Sequence, residues 1–274
     1  MDNPTYTAPH LDFSYADSLP SVSVADGRMF IARAADPGAP TVLWVHGAFH
    51  GAWCWAHYLK FFASRGVACA ALDLPGHGGL AQDADYLSVN VSRLAACVGA
   101  ACEHIAGPVI VVGHSMGALP VLLCASQRTV AAVVLLAPSP PANLSTAKAL
   151  PGVAPGKPVP LPDLDGIGLR FLGGLEPAQS SQVIAARLCP ESPEVINDRY
   201  LLRVFIDPQK IQVPGLCVEA ELDTGERHPP GQDKAVADMF GFDYQMLPGQ
   251  PHCMMYGPNW QAGAEAVLSW ISKL

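Results

Sequence analysis

Short runs of consecutive apolar residues recur along the chain: TVLWV (41–45), VACAALD (67–73), PVIVVG (108–113), VAAVVLLA (130–137), GLCVEAEL (215–222) and FDYQML (242–247). Apolar residues dominate each run without strict alternation, so each predicts a strand covered on both faces, and the helix-length intervals between them supply the crossovers of a parallel sheet. Ahead of these runs, SVSVADGRMFIARAA (21–35) alternates on either side of Ala25-Asp26-Gly27, which predicts an antiparallel hairpin at one edge. The C-terminal NWQAGAEAVLSWISKL carries apolar residues at helical spacing and is expected to pack back on the sheet. The fold class is therefore α/β.

One stretch breaks the rhythm. Residues 138–212 hold no buried strand, begin Pro-rich in PSPPANL and LPGVAPGKPVPLPDLDG, and then predict two helices, at about 176–188 and about 193–204. The expected organisation is a core of residues 1–137 and 213–274 with a helical lid, 138–212, inserted above the sheet.

Composition narrows the classes of partner. The 274 residues are 50% hydrophobic, enough for a sizeable core. The 16 Lys and Arg against 24 Asp and Glu give a net charge of −8 with the basic residues scattered, which argues against nucleic acid and against an anionic membrane surface. A small-molecule substrate fits better, and the scarcity of basic residues disfavours coenzyme A thioesters and phosphate-bearing compounds. The eight cysteines lack CxxC pairs and fall in several apolar runs, as expected of buried free thiols in a reducing compartment. No basic stretch followed by an apolar one opens the chain, and no run approaches the ~18 apolar residues of a membrane helix, so the expected location is cytoplasmic.

The interruption at Gly113-His114-Ser115-Met116-Gly117 carries the first chemical signal. It follows a strand-like run and precedes the helix-like ALPVLLCASQ, the strand, turn, helix context of a G-x-S-x-G elbow. Glycines on both sides remove the Cβ atoms that so tight a turn would bring into contact, and leave the Ser115 hydroxyl at the carboxyl edge of the sheet, before the N–H groups of a helix. An ordinary N-cap serine needs no glycine on either side.

With WVHGAFHGAWCW (44–55) and LDLPGHG (72–78), the chain resembles the α/β-hydrolase fold superfamily of serine esterases and lipases over most of its length outside 138–212. The first of these segments is similar to the HGxxHGAWxW segment of plant methylesterases and hydroxynitrile lyases. The resemblance implies Ser115 as nucleophile, with the backbone N–H groups of Ala48 and Met116 as oxyanion donors. It implies His252, in LPGQPHCMMYGP, as base, because the family places its base between the last strand and the last helix. Asp223 in EAELDTG is the expected acid, with Glu219 and Glu221 as rivals close by and Ala220 standing where the family usually has glycine.

Nine histidines compete for attention. His46, His50, His77 and His114 lie in motif loops and read as loop-shaping hydrogen bonders, whereas His10, His57, His104 and His228 read as surface residues. The HxxxH spacing of His46 and His50 could suit zinc on a helix, but Gly47 and Gly51 oppose a helix, so neither a metal nor another cofactor is expected. Phe49, His50, Trp53 and Met254 flank the motifs and are candidates for the substrate pocket wall.

Relatives of this fold that open epoxides or remove halogens carry Asp at the elbow. Related hydroxynitrile lyases carry Thr at the position of Gly47 and Lys at that of Cys253. Hydrolysis of an ester, lactone or thioester of a small apolar molecule through an acyl-enzyme is the expected activity. A cofactor-free dioxygenase, a C–C bond hydrolase and a non-catalytic small-molecule binder remain as alternatives.

Overall fold

The computed structural model describes residues 8–36, 38–223, 225 and 228–274. Eight strands form one sheet: β1 (Ser21–Val24), β2 (Gly27–Arg33), β3 (Thr41–Val45), β4 (Ala68–Asp73), β5 (Val109–His114), β6 (Ala132–Leu136), β7 (Gly215–Ala220) and β8 (Asp243–Leu247). Their order is β1-β2-β4-β3-β5-β6-β7-β8. β2 runs antiparallel to β1 and β4, and every other pairing is parallel. The apolar runs locate these strands to within two residues at each end, and the hairpin turns at Ala25-Asp26, where Val24 pairs with Gly27.

β3 shows why its run does not alternate. Successive side chains of a strand point to opposite faces, and here both faces are covered. Val42 and Trp44 pack with Tyr58 and Phe62 of the helix Ala56–Ser64 and with Val267 of Trp260–Ile271. Leu43 and Val45 belong to the core on the other side, together with Leu94 of Val91–His104 and Leu119 of Ala118–Ala125. All four β3 side chains have 0% exposure. β8 departs from this pattern because it is an edge strand, and Met246 on it is 41% exposed.

The segment between β6 and β7 carries three helices, Leu164–Leu172, Ala178–Ala185 and Pro193–Tyr200. The first is not among the two predicted, because Gly166 and Gly168 dilute its helical pattern. Its ends are set by caps instead: the Asp163 carboxylate accepts the Gly166 N–H at 2.7 Å, and Gly173 closes it at φ 62. The third ends at Tyr200 rather than near 204, where Leu202 turns the chain at φ 52. All eight cysteines are unbridged, and among the described residues no helix is long and apolar enough to cross a membrane.

Candidate active site

Ser115 stands where β5 ends and the chain turns into the helix Ala118–Ala125, at φ 53, a conformation that L residues rarely adopt. The two flanking glycines make this turn possible by absence. A Cβ on Gly113 would lie 2.6 Å from the carbonyl oxygen of Gly117, and one on Gly117 would collide with the carbonyl oxygen of His46. Such backbone costs ~1–3 kcal/mol and persists only where the surroundings enforce it; one tie is the Ser139 N–H donating to the Ser115 carbonyl at 2.9 Å. Gly117→Ala is therefore expected to cost ~1–3 kcal/mol of stability by overpacking, read as a lower denaturant midpoint. An unchanged midpoint would mean that the elbow and the loop after β3 are not in close contact.

Sequence-distant segments deliver the partners of Ser115. His252, in the loop between β8 and Trp260–Ile271, has Nε2 2.9 Å from Ser115 Oγ and Nδ1 2.5 Å from Asp223 Oδ2. A carboxylate only accepts, so Nδ1 carries the proton and the Nε2 lone pair faces the serine hydroxyl. His114 Nε2 donates to the His252 carbonyl at 3.0 Å and thereby ties the base loop to the elbow. Burial pushes the His114 pKa well below the ordinary 6.5, and the nearby His252 adds to this, so His114 acts as a neutral donor. The rival carboxylates are engaged elsewhere: Glu219 accepts from the Tyr244 hydroxyl at 2.6 Å, and Glu221 from the Gly249 N–H at 2.8 Å.

His228 does not lie at the surface as its sequence suggests. Its side chain is 9% exposed, with Nδ1 3.7 Å from Asp223 Oδ2 and 3.6 Å from Asp233 Oδ1, and its ring centroid 4.8 Å from that of His252. Burial opposes its charge, but Asp223 and Asp233 outweigh that and raise its pKa. Ligand atoms of Asp223, His228 and His252 come within 4.8 Å of one another, so the three could hold a cation. Two of them already form the chain of hydrogen bonds to Ser115, and an ion there would take the same atoms.

His46 and His50 are tied to backbone and Tyr256, not arranged as a metal pair. His46 bonds the Gly47 carbonyl through Nδ1 at 2.8 Å and accepts the Leu74 N–H at Nε2 at 3.1 Å. His50 donates from Nδ1 to the Ala48 carbonyl at 2.7 Å and accepts from the Tyr256 hydroxyl, also at 2.7 Å. Burial lowers its pKa to about 3. It thus shapes the loop beneath the cavity.

Phe49, next to Ala48, is held at φ 69 from two sides. Its N–H donates to Glu191 Oε2 at 3.2 Å, and its carbonyl accepts the Cys189 N–H at 2.9 Å. Glu191 is wholly buried and also takes the Tyr86 hydroxyl at 3.1 Å, the Ser192 N–H at 2.8 Å and His77 Nε2 at 3.0 Å. Since His77 Nδ1 donates to the Pro75 carbonyl at 2.9 Å, both ring nitrogens serve as donors and the pair is imidazolium with carboxylate. Nothing in the sequence around Glu191 marks this role, which arises only when the insertion packs on two motif loops.

A cavity of about 50 Å³ opens over Ser115. Ala48, Phe49 and Met116 form its floor beside Ser115 and His252, and Leu150, Arg170, Ile196, Arg199 and Tyr200 of the insertion form its roof. Of the four predicted wall residues only Phe49 lines it. His50 and Met254 are buried at 1% and 0% exposure, and Trp53 packs edge-on against Phe13, with ring centroids 4.7 Å apart. The aromatic and Met residues beside the motifs fill the core under the loops, whereas the insertion provides much of the wall.

Comparison with known proteins gives the same fold. The family model described as "Alpha/beta hydrolase family" matches residues 42–265. Epoxide hydrolase A of Mycobacterium tuberculosis is 27% identical over 221 residues, 72% of this chain and 64% of that protein. Methyl jasmonate esterase 1 of Vitis vinifera is 36% identical over 108 residues, 37% of this chain and 41% of that protein, so the matches span less than two thirds of either relative. Among solved structures, a methylesterase from Arabidopsis superposes with a TM-score of 0.68 at 18% identity, covering 86% of this chain and 100% of that one.

Proposed function

The chain belongs to the alpha/beta hydrolase family, and from that premise we propose that it is a serine hydrolase that cleaves a carboxylic ester, lactone or thioester through an acyl-enzyme. The observation that carries this reading is the continuous contact from Ser115 Oγ through the His252 ring to Asp223, at 2.9 and 2.5 Å. His252 removes the Ser115 proton as the oxygen attacks the carbonyl, and Asp223 steadies the imidazolium that forms. The backbone N–H groups of Ala48 and Met116 flank the carbon under attack and receive the charge developing on its oxygen. His252 then returns the proton to the leaving group, and a water repeats the sequence to release the acid.

The named relatives divide between esters and epoxides, and this chain carries Ser115 where the epoxide-opening members of the fold carry Asp. The reading is tested with p-nitrophenyl acetate at near-stoichiometric enzyme. A burst of nitrophenolate equal to the enzyme, with the acetyl group on the Ser115 peptide by mass spectrometry, is expected. Turnover without an adduct on Ser115 would count against the acyl-enzyme.

The small cavity adds a specificity expectation. About 50 Å³ over the nucleophile admits a short acyl group and crowds a long one against Leu150 and Ile196. Acetyl and butyryl p-nitrophenyl esters are expected to exceed the decanoyl ester in kcat/KM by at least ~10-fold, since overpacking of this kind costs ~1–3 kcal/mol. Equal rates across the series would show that the insertion does not confine the acyl chain.

A further inference from the structure

Two arginines roof the cavity in a chain with few basic residues. Arg170 lies on the helix Leu164–Leu172 and Arg199 on Pro193–Tyr200, and both line the same space as Ser115 and His252. Each is referenced to a catalytic loop through backbone. Phe171, beside Arg170, accepts at its carbonyl the N–H of Cys253, the residue after His252, at 3.2 Å. The helix that carries Arg199 starts directly after Glu191, whose carboxylate holds the Phe49 N–H at 3.2 Å. The two charges therefore sit at set positions above the reacting atoms, and Arg199 is only 7% exposed.

The other ionisable groups on this wall are Tyr200, Asp223, His228 and His252. Asp223 is turned toward His252, and Asp233 lies behind His228. The influence of the arginines reaches across the cavity: Arg170 adds to the forces that hold His50 neutral, and Arg199 opposes the charge on His228. Both guanidinium groups have partners within the protein, and each presents five N–H donors in a planar fork, the geometry that matches a carboxylate. Of the remaining roof, Leu150 and Ile196 are apolar and Tyr200 carries a hydroxyl.

We propose that the substrate is an ester carrying a carboxylate remote from the scissile bond, which Arg170 and Arg199 receive while a short apolar linker lies against Leu150 and Ile196. This rests on the hydrolase reading above, and it replaces the small apolar substrate expected from the sequence. Charge-assisted hydrogen bonds from a guanidinium to a carboxylate are the strong and directional ones, and here they select an anionic ester over its neutral analogue.

The test compares monomethyl glutarate with dimethyl glutarate by methanol release, alongside calorimetric titration of glutarate into the Ser115→Ala protein. The wild type is expected to prefer the monoester by at least ~10-fold in kcat/KM, a preference that Arg170→Gln and Arg199→Gln each reduce by at least ~10-fold. Glutarate is expected to bind Ser115→Ala more tightly than inorganic phosphate does, and more weakly as salt rises. A wild-type preference for the diester, or the same preference in wild type and the half-buried Arg170→Gln variant, overturns the proposal even if Arg199→Gln fails to fold. Absence of turnover with salt-dependent glutarate binding intact would leave the carboxylate site standing and remove the hydrolase reading. Turnover of the diester without glutarate binding would do the reverse.

Discussion

Ser115→Ala and His252→Ala are each expected to lower kcat by ~10⁶ on the best ester substrate, and the double variant no further than either single one. In the proposed mechanism the three side chains act as one device. Without the hydroxyl, His252 has no proton to take; without the imidazole, the hydroxyl at neutral pH is a poor nucleophile. On the proposed mechanism the residual rate over water is expected from the Ala48 and Met116 N–H groups, which neither substitution touches. Asp223→Asn separates orientation from charge. An amide facing His252 Nδ1 can donate, which favours the tautomer with its proton on Nε2, toward Ser115, and a loss of ~10⁴ is expected. Steady-state kinetics on the four proteins checks the set. Ser115→Ala activity within tenfold of wild type would sink the assignment, and an additive double variant would show that Ser115 and His252 do not share a step.

The parts of this site that were legible in sequence are those whose chemistry leaves a local trace. Gly113 and Gly117 announce the elbow because no side chain fits at either place. β3 to β7 announce themselves because burial on both faces leaves apolar runs that no surface element would carry. Asp223 is less distinct, since Glu219, Glu221 and Asp223 follow one another at every second position; the hydrogen bond of His252 to Asp223 and those of Tyr244 and Gly249 to the two glutamates separate them. His228, Glu191, Arg170 and Arg199 leave no such trace. Each depends on how the loop after β7 or the segment between β6 and β7 folds back on the sheet edge, and a single polar residue in a loop or a helix looks the same whether it ends in water or against Ser115. The helix Leu164–Leu172 is not legible for a related reason, because its caps rather than its periodicity define it.

Glu191→Ala is expected to cost ~3–5 kcal/mol of folding stability, the cost of leaving one charge of a buried pair without its partner. Neither His77 nor Glu191 has any exposed side-chain surface. Loss of the carboxylate also strips the Phe49 and Ser192 N–H groups and the Tyr86 hydroxyl of their acceptor. The pH dependence identifies the pair. Burial opposes the charge on His77, but Glu191, with help from the Pro75 carbonyl and Asp73, raises its pKa above 6.5; the neighbouring His46 is held neutral by its own burial. Burial likewise opposes the charge on Glu191, but His77 and the Ser192 and Phe49 N–H groups lower its pKa below 4.5. The His77 share of stability is complete below pH 6.5 and is lost as pH rises through the raised value, whereas the Glu191 share is complete above pH 4.5 and is lost as pH falls through the lowered one. The destabilisation caused by Glu191→Gln should therefore be greatest between about pH 4.5 and 6.5 and shrink in more alkaline solution, where the wild type has itself lost the ion pair. Urea unfolding of both proteins at pH 5.5 and at pH 9, on the order chosen to bracket the titration of His77, measures the difference directly. A destabilisation equal at the two pH values, or larger at pH 9, would count against an imidazolium at His77 that gives up its second proton in this range.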